Sequence, residues 1–273
     1  MNELKFIHLT DTHVLKEYEG SFLEGLDKIH TNPSSQLTKI LQYAESNKEQ
    51  LDFILISGDL VHEGDVEDYQ YYKSLLEEHT TLPVYLSLGN HDVTAAYWET
   101  FHGKTDCNDE LFYTEEVNGY RLIVLDSSYD KSGTGYVSEE QLAWLKAQLA
   151  ETTENGSVVV VHHPIDEAQT FGEHSLKNSK ELLDVVQNQE EVIAVLSGHI
   201  HQNLIEQYSG FISSAAEGSC FGVEFDGVQA HFTNNSAFNV CTIKNKQLKI
   251  QVNRVRETNK VLFSYGIDEM THA

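Results

Sequence analysis

Short apolar runs alternate with segments of helical spacing along most of the chain. Phe53, Ile54, Leu55 and Ile56 are apolar without a break, the pattern of a strand covered on both faces in a mostly parallel sheet. Val158–Val161 and Val192–Leu196 carry the same signature, and the more mixed runs Lys5–Thr10 and Leu82–Leu88 also read as strands. Between them lie helical stripes. Leu37, Ile40, Leu41 and Ala44 follow Ser34 or Ser35 as N-cap, and Tyr69, Tyr72, Leu75 and Leu76 fall within Asp65–Glu78. Leu142, Leu145 and Leu149 follow a Ser138 cap within Gly135–Leu149, and a further helix is predicted over Ser179–Asn188. Leu111–Thr114 and Tyr120–Asp126 pair around an Asn118-Gly119 hairpin turn.

From Gly210 onward the alternation stops and strands follow one another. Phe211–Ser214, Ser219–Glu224, Val228–Thr233, Ala237–Ile243 and Leu248–Val255 are separated by Asp226-Gly227, Asn234-Asn235 and Asn245-Lys246. These strands are expected to complete a second sheet. The fold class predicted is therefore α/β, a four-layer α/β/β/α sandwich of two mixed β-sheets flanked by helices. No linker or repeat divides the chain, so residues 1–273 are read as one domain. Within it, 1–205 is the α/β part, 206–256 the β-rich part, and 257–273 a tail without signal.

Composition narrows the partners. The 273 residues are 40% hydrophobic with only 3 Pro, which suits a soluble globular chain with a sizeable core. The formal charge of −25 comes from 18 Lys+Arg against 43 Asp+Glu, and there is no basic run. A nucleic-acid polymer would be repelled, whereas bound cations reverse the local field for a small phosphate compound. The 3 cysteines, Cys107, Cys220 and Cys241, are widely spaced, against a disulfide framework or a Cys-type zinc site. No export signal or membrane-length apolar segment is visible, so a cytoplasmic location and no membrane partner are expected.

The strands end in metal-ligand residue types. Asp59 follows Ser57-Gly58, and in open parallel sheets ligands gather at strand carboxyl ends. One carboxylate can bridge two ions. Asp11 and His13 are two apart, as are His199 and His201, so on extended chain each pair faces one site. The two imidazoles can serve two metals or share one. His162-His163-Pro164 closes another strand. In Gly89-Asn90-His91-Asp92 the natural division gives Asn90 to the metal through its carbonyl oxygen and His91 to the substrate. Asp92 then fixes the imidazole tautomer from behind.

In this order, Asp-x-His, Gly-Asp, Gly-Asn-His-Asp, His-His and Gly-His-x-His resemble the motifs of the calcineurin-like metallophosphoesterases, over Phe6 to His201. The resemblance implies an α/β/β/α sandwich with two metals. Asp11, His13, Asp59 and His201 would surround one, and Asp59, Asn90, His162 and His199 the other, with His163 structural. Imidazole, carboxylate and amide oxygen suit Mn and Fe first, with Zn or Co as alternatives, in divalent or trivalent form. Such ions about 3.5–4 Å apart activate a bridging water for in-line attack. His91, charged and aimed by Asp92, would protonate the leaving group. Leu125-Asp126-Ser127, the Gln141–Leu145 helix and Ser214–Cys220 further resemble the bacterial class III cyclic-nucleotide phosphodiesterases, a likeness shared with glycerophosphodiesterases.

The expected activity is hydrolysis of a small phosphodiester of cyclic-nucleotide or glycerophosphodiester type. A phosphomonoesterase or nucleotide pyrophosphatase with the same metals is the alternative. A non-catalytic metal-dependent scaffold is a third, but a scaffold has no need of His91. Assembly of identical chains is left open. Substrate choice is expected in the 14–33 connection, where Tyr18 and Phe22 either stack on a base or, with Leu23 and Leu26, pack the loop onto the domain.

Overall fold

The computed structural model describes residues 3–25, 32–129, 133–165, 175–226, 228–256 and 261–266. Strands β1 (Leu4–Leu9), β2 (Phe53–Ser57) and β3 (Val84–Ser87) run parallel, connected through helices α1 (Pro33–Ser46) and α2 (Val66–His79). Beyond β3 comes α3 (Thr94–His102), then the hairpin β4 (Tyr113–Val117) and β5 (Tyr120–Val124), whose turn residues Asn118 and Gly119 have φ of 51° and 80°. Helix α4 (Glu139–Ala150), β6 (Gly156–Val160), α5 (Ser179–Val186) and β7 (Val192–Ser197) continue the alternation. The remaining strands are β8 (Leu204–Gln207), β9 (Ile212–Ala215), β10 (Gly222–Phe225), β11 (Gln229–Thr233), β12 (Ser236–Lys244), β13 (Gln247–Arg256) and β14 (Val261–Gly266).

Two mixed sheets result, ordered β13-β12-β1-β2-β3 and β4-β5-β6-β7-β9-β8. Their buried residues fall into three clusters that mark the spaces between four layers. Ile7, Leu9, Ile54 and Ile56 share one with Leu37, Ile40 and Leu41 of α1 and Tyr69 and Tyr72 of α2. Leu4, Phe6, Phe53 and Leu55 face Leu122, Val124, Val158, Val160 and Leu196 between the sheets. Ile123, Val159 and Val195 lie against Leu145 and Leu149 of α4 and Leu182 and Val186 of α5. Alternate residues of one strand thus enter different clusters, which is why Phe53–Ile56 and Val158–Val160 are apolar without a break.

Several expectations need correction. The C-terminal strands do not complete one second sheet. The hairpin β12–β13 joins the first sheet antiparallel to β1, β8 and β9 extend the second, and β10-β11-β14 form a third, three-stranded sheet. The tail read as uninformative contributes β14, which pairs with β11. The cap of α1 is Asn32, whose side chain accepts the Ser35 N–H, with Pro33 opening the helix. Ser34 is buried and bonds the Tyr18 hydroxyl at 2.9 Å instead. Helix α3 was not predicted; it buries only Ala96 and Tyr97, too short a stripe to stand out. Gly227 and Leu26, named in the sequence reading, lie outside the described residues. Among the described residues, no helix is long and apolar enough to cross a membrane.

Among the described residues, β3 is an edge strand of the first sheet and β4 of the second. The Tyr113 hydroxyl on β4 accepts the Leu86 N–H at 3.0 Å and donates to the Leu86 carbonyl at 2.8 Å. One phenol satisfies both backbone groups of a buried residue and ties the two sheets together. Tyr113→Phe should therefore cost about 1–3 kcal/mol, the penalty for leaving buried donors and acceptors unmet. Urea denaturation checks it, with metal uptake unchanged in the folded variant.

Candidate metal centre

Asp11, Asp59, Asn90, His162, His199 and His201 gather beyond the carboxyl ends of β1, β2, β3, β6 and β7, on the loops that leave them. Asp11, His13, Asp59, His199 and His201 have φ of 52°, 43°, 51°, 71° and 53°, a left-handed conformation unusual for residues with a side chain. The i, i+2 pairs therefore converge because the backbone has turned past the strand ends, and not by strand alternation as the sequence suggested. The turns are held by backbone bonds from Asp11 N to Gly58 O at 3.1 Å and His13 N to Asp59 O at 2.9 Å. Two glycines let the turns touch. A Cβ on Gly58 would enter the His162 ring, and one on Gly89 would enter the Asp59 carboxylate.

The ligand-type atoms form groups that overlap at Asp59. Asp11, His13 and Asp59 present atoms within 4.8 Å of one another, and so do Asp59, His162 and His199. Asp59 Oδ2 lies 3.2 Å from His162 Nε2 and 3.6 Å from His13 Nε2. His201 Nε2 is 3.3 Å from Asp11 Oδ1 and 3.4 Å from His13 Nε2. The opposite nitrogens of two rings are engaged from behind. His162 Nδ1 donates to Ser57 O at 2.8 Å and His201 Nδ1 to Phe221 O at 2.9 Å, turning both Nε2 atoms inward.

The residues fit metal ions. Asp11 Oδ1, Asn90 Oδ1 and His162 Nε2 are buried and make no hydrogen bond, although buried polar atoms nearly always do. The donors are imidazole nitrogen, carboxylate and amide oxygen. Burial pushes the His13 and His199 imidazoles well below their usual range, which keeps nitrogen lone pairs available. Burial lowers His162 too, but the Asp59 and Asp11 carboxylates outweigh it and hold the ring up at about 9. Burial raises Asp59, yet His162, His91 and His13 together bring it well below the ordinary carboxylate value. Two carboxylates thus face the inward edge of the His162 ring, the surroundings that favour a positive charge there.

His91 sits at the rim, with its side chain 32% exposed and its ring centroid 5.1 Å from that of His13. Its backbone N–H donates to Asp59 Oδ1 at 2.9 Å. Asp92 is not behind it. The Asp92 carboxylate accepts the N–H groups of Leu60, Val61 and Gly89 and, at 2.7 Å, the Tyr69 hydroxyl, so it clamps the β2 and β3 loops together. Burial, then the nearby Asp59, raises it to about 7. The acid beside His91 is Glu63, whose Oε1 is 3.2 Å from His91 Nδ1. His163 meets Ser127 Oγ at 2.8 Å and packs its ring 4.2 Å from that of His199.

Other neighbours were missed in the sequence. His62 Nδ1 lies 3.0 Å from His13 Nδ1, and its ring stacks on His91 at 4.7 Å. The Cys220 thiol joins His13 and His201 within 4.8 Å, a neighbour that the wide spacing of the cysteines did not announce. Burial, and then Asp11, raise it well above its usual value. Only the Leu60-Val61-His62-Glu63 run directly after Asp59 offered a signal, since a loop leaving a ligand strand stays near the site. Of the two aromatic residues left open between stacking and packing, Tyr18 packs and Phe22 faces outward. Tyr18 is buried, accepting the Leu15 N–H at 3.1 Å, whereas Phe22 is 55% exposed and lies 6.2 Å from the His62 ring.

This arrangement matches known proteins in sequence and fold. A probable cyclic nucleotide phosphodiesterase of Rhodococcus erythropolis is 27% identical over 79% of this chain and 70% of its own length. A 3',5'-cyclic adenosine monophosphate phosphodiesterase of Haemophilus influenzae is 28% identical over 80% of this chain and 77% of its own. Among solved structures, a purple acid phosphatase from yellow lupin (Lupinus luteus) seeds superimposes with a TM-score of 0.67 at 14% identity, covering 97% of this chain and 53% of that one. That likeness establishes the sandwich fold. The profile of the calcineurin-like phosphoesterases matches residues 4–203, which carry every motif gathered at this centre, and the chain belongs to that family of metal-dependent phosphoesterases.

Proposed function

We propose that this chain hydrolyses a small phosphodiester of the 3',5'-cyclic nucleotide class. Asp11, His13, Asp59 and His201 hold one transition-metal ion, and Asp59, Asn90, His162 and His199 the other. Manganese and iron suit this donor set first, with zinc or cobalt next. The observation that carries the reading is the placement of His91 over a centre whose two ligand groups share Asp59. When bound, the ions supply charge neutralisation at the phosphoryl oxygens and a lowered pKa for water.

The chain's own residues do the rest. Asp59 Oδ1 fixes the His91 backbone, and Glu63 engages Nδ1, leaving Nε2 to hand a proton to the departing oxygen. An alkoxide needs that proton because it leaves poorly without it. The Phe22, His62 and His91 rings lie in series, with 27° and 25° between successive planes. Phe22 offers an exposed flat face for a nucleobase. The curated relatives' names, cyclic nucleotide phosphodiesterases, support the same class.

The test compares kcat/KM for a 3',5'-cyclic nucleotide and the matching 5'-nucleotide, with the same metal. The cyclic diester should be preferred by tenfold or more, about 1.4 kcal/mol of transition-state binding. A faster monoester would overturn the proposal in favour of a phosphomonoesterase. Phe22→Ala should raise KM for the cyclic nucleotide and leave a small aryl phosphodiester unaffected, whereas Tyr18→Ala should lower the thermal midpoint.

A further inference from the structure

We propose that His62, which belongs to none of the ligand motifs, is a positioning residue that locks His13 in its metal-binding tautomer. The inference rests on the reading of His13 as a ligand. Its basis is the 3.0 Å separation of His62 Nδ1 from His13 Nδ1. Two ring nitrogens at that distance need one proton between them, since two protons or two lone pairs repel. His13 Nε2 faces Asp59 Oδ2 at 3.6 Å, Asp11 Oδ1 at 3.9 Å and His201 Nε2 at 3.4 Å, so that nitrogen keeps its lone pair for the ion. The His13 proton therefore sits on Nδ1 and is donated to His62. It follows that His62 accepts at Nδ1 and carries its own proton on Nε2.

His62 is itself held. Its ring stacks on His91 at 4.7 Å, meets His13 edge-on at 5.0 Å with 63° between planes, and lies 6.2 Å from Phe22. Backbone bonds from His13 N to Asp59 O and from Val14 N to Leu60 O fix the chain, and the rings of His91, His201 and Phe221 pack around the His13 ring at 5.1, 5.3 and 5.8 Å. Packing holds the plane of the ring, whereas the His62 bond decides which of its two nitrogens carries the proton. His162 and His201 obtain the same service from backbone carbonyls, of Ser57 and Phe221. For His13 a side chain does it, and a side chain can be changed.

Mn²⁺ titration of the full-length protein against a competing chelator provides the test. His62→Ala and His62→Leu should weaken one of the two ions by about 10–100-fold, the usual loss when a ligand's outer partner is removed, and leave the other unchanged. His62→Asn, whose Oδ1 can accept the same proton, should restore most of that affinity. In the Zn²⁺-loaded protein, ¹⁵N NMR should show a His13 Nδ1–H signal in the wild type and in His62→Asn, lost in His62→Ala. Unchanged affinity for both ions in the Ala and Leu variants would overturn the proposal. So would equal weakening of both ions with a lower thermal midpoint of the ion-free protein, since that is the signature of packing. A wild type that takes up no second ion would instead refute the two-metal reading itself.

Discussion

Asp59→Ala should remove both metal ions at once and lower phosphodiester turnover more than any other single change at the centre. Its carboxylate belongs to both ligand groups, with Oδ2 at 3.2 Å from His162 Nε2 and 3.6 Å from His13 Nε2. Oδ1 meanwhile accepts the His91 N–H at 2.9 Å. The substitution therefore removes a shared ligand and loosens the residue proposed to protonate the leaving group. The expected loss in kcat exceeds the roughly 10²–10³-fold that follows deletion of one electrostatic stabiliser. His13→Ala or Asn90→Ala should weaken mainly one ion. Elemental analysis after dialysis separates the cases. Two ions retained per chain by Asp59→Ala would show that Asp59 bridges nothing.

Most of the layers were legible because strands buried on both faces are apolar nearly throughout. Phe53–Ile56 enters two clusters, one towards the helices and one between the sheets, and its uninterrupted pattern states as much. The C-terminal strands were legible as strands but not as partners. Turn residues mark where β12 and β13 meet, whereas nothing local says that β12 pairs with β1, more than two hundred residues away in sequence. Pairing of that kind depends on contacts far apart in the chain, which local residue patterns do not encode. Likewise Ser34 was a sound cap by type, but Asn32 and Pro33 lie ahead of it and Tyr18 takes its hydroxyl.

At the centre, the residues that end strands were chosen by type and position, and the structure gathers them; their neighbours were assigned by adjacency in sequence, which is a poor guide past a tight turn. Asp92 follows His91 directly, yet the turn sends its carboxylate inward to the N–H groups of Leu60 and Val61. Glu63, on another loop, reaches His91 instead, helped by its own N–H donating to the His91 carbonyl at 2.8 Å. Tyr18 turns inward for a reason its sequence neighbours do not show either, since its hydroxyl meets the Leu15 N–H and Ser34 Oγ. A phenol with two partners inside the fold goes inward whatever charges flank it.

His91→Ala should leave both ions bound and lower kcat by about 10²–10⁴-fold on substrates whose alcohol leaves poorly, the range for loss of a positioned general acid. No side-chain atom of His91 enters the ligand groups, and the contact it makes with Asp59 is through the backbone, which alanine keeps. A nitrophenyl diester should suffer much less, because a nitrophenolate departs without a proton. Glu63→Gln should act in the same direction but more weakly, since the Glu63 side chain is 69% exposed and touches only the far nitrogen. Asp92→Asn should behave differently. Its carboxylate holds two loops together, so its replacement should lower the thermal midpoint and weaken metal uptake with no dependence on leaving group. Equal losses for His91→Ala on alkyl and nitrophenyl diesters, with metal content intact, would remove His91 from proton transfer and leave it a substrate-positioning role.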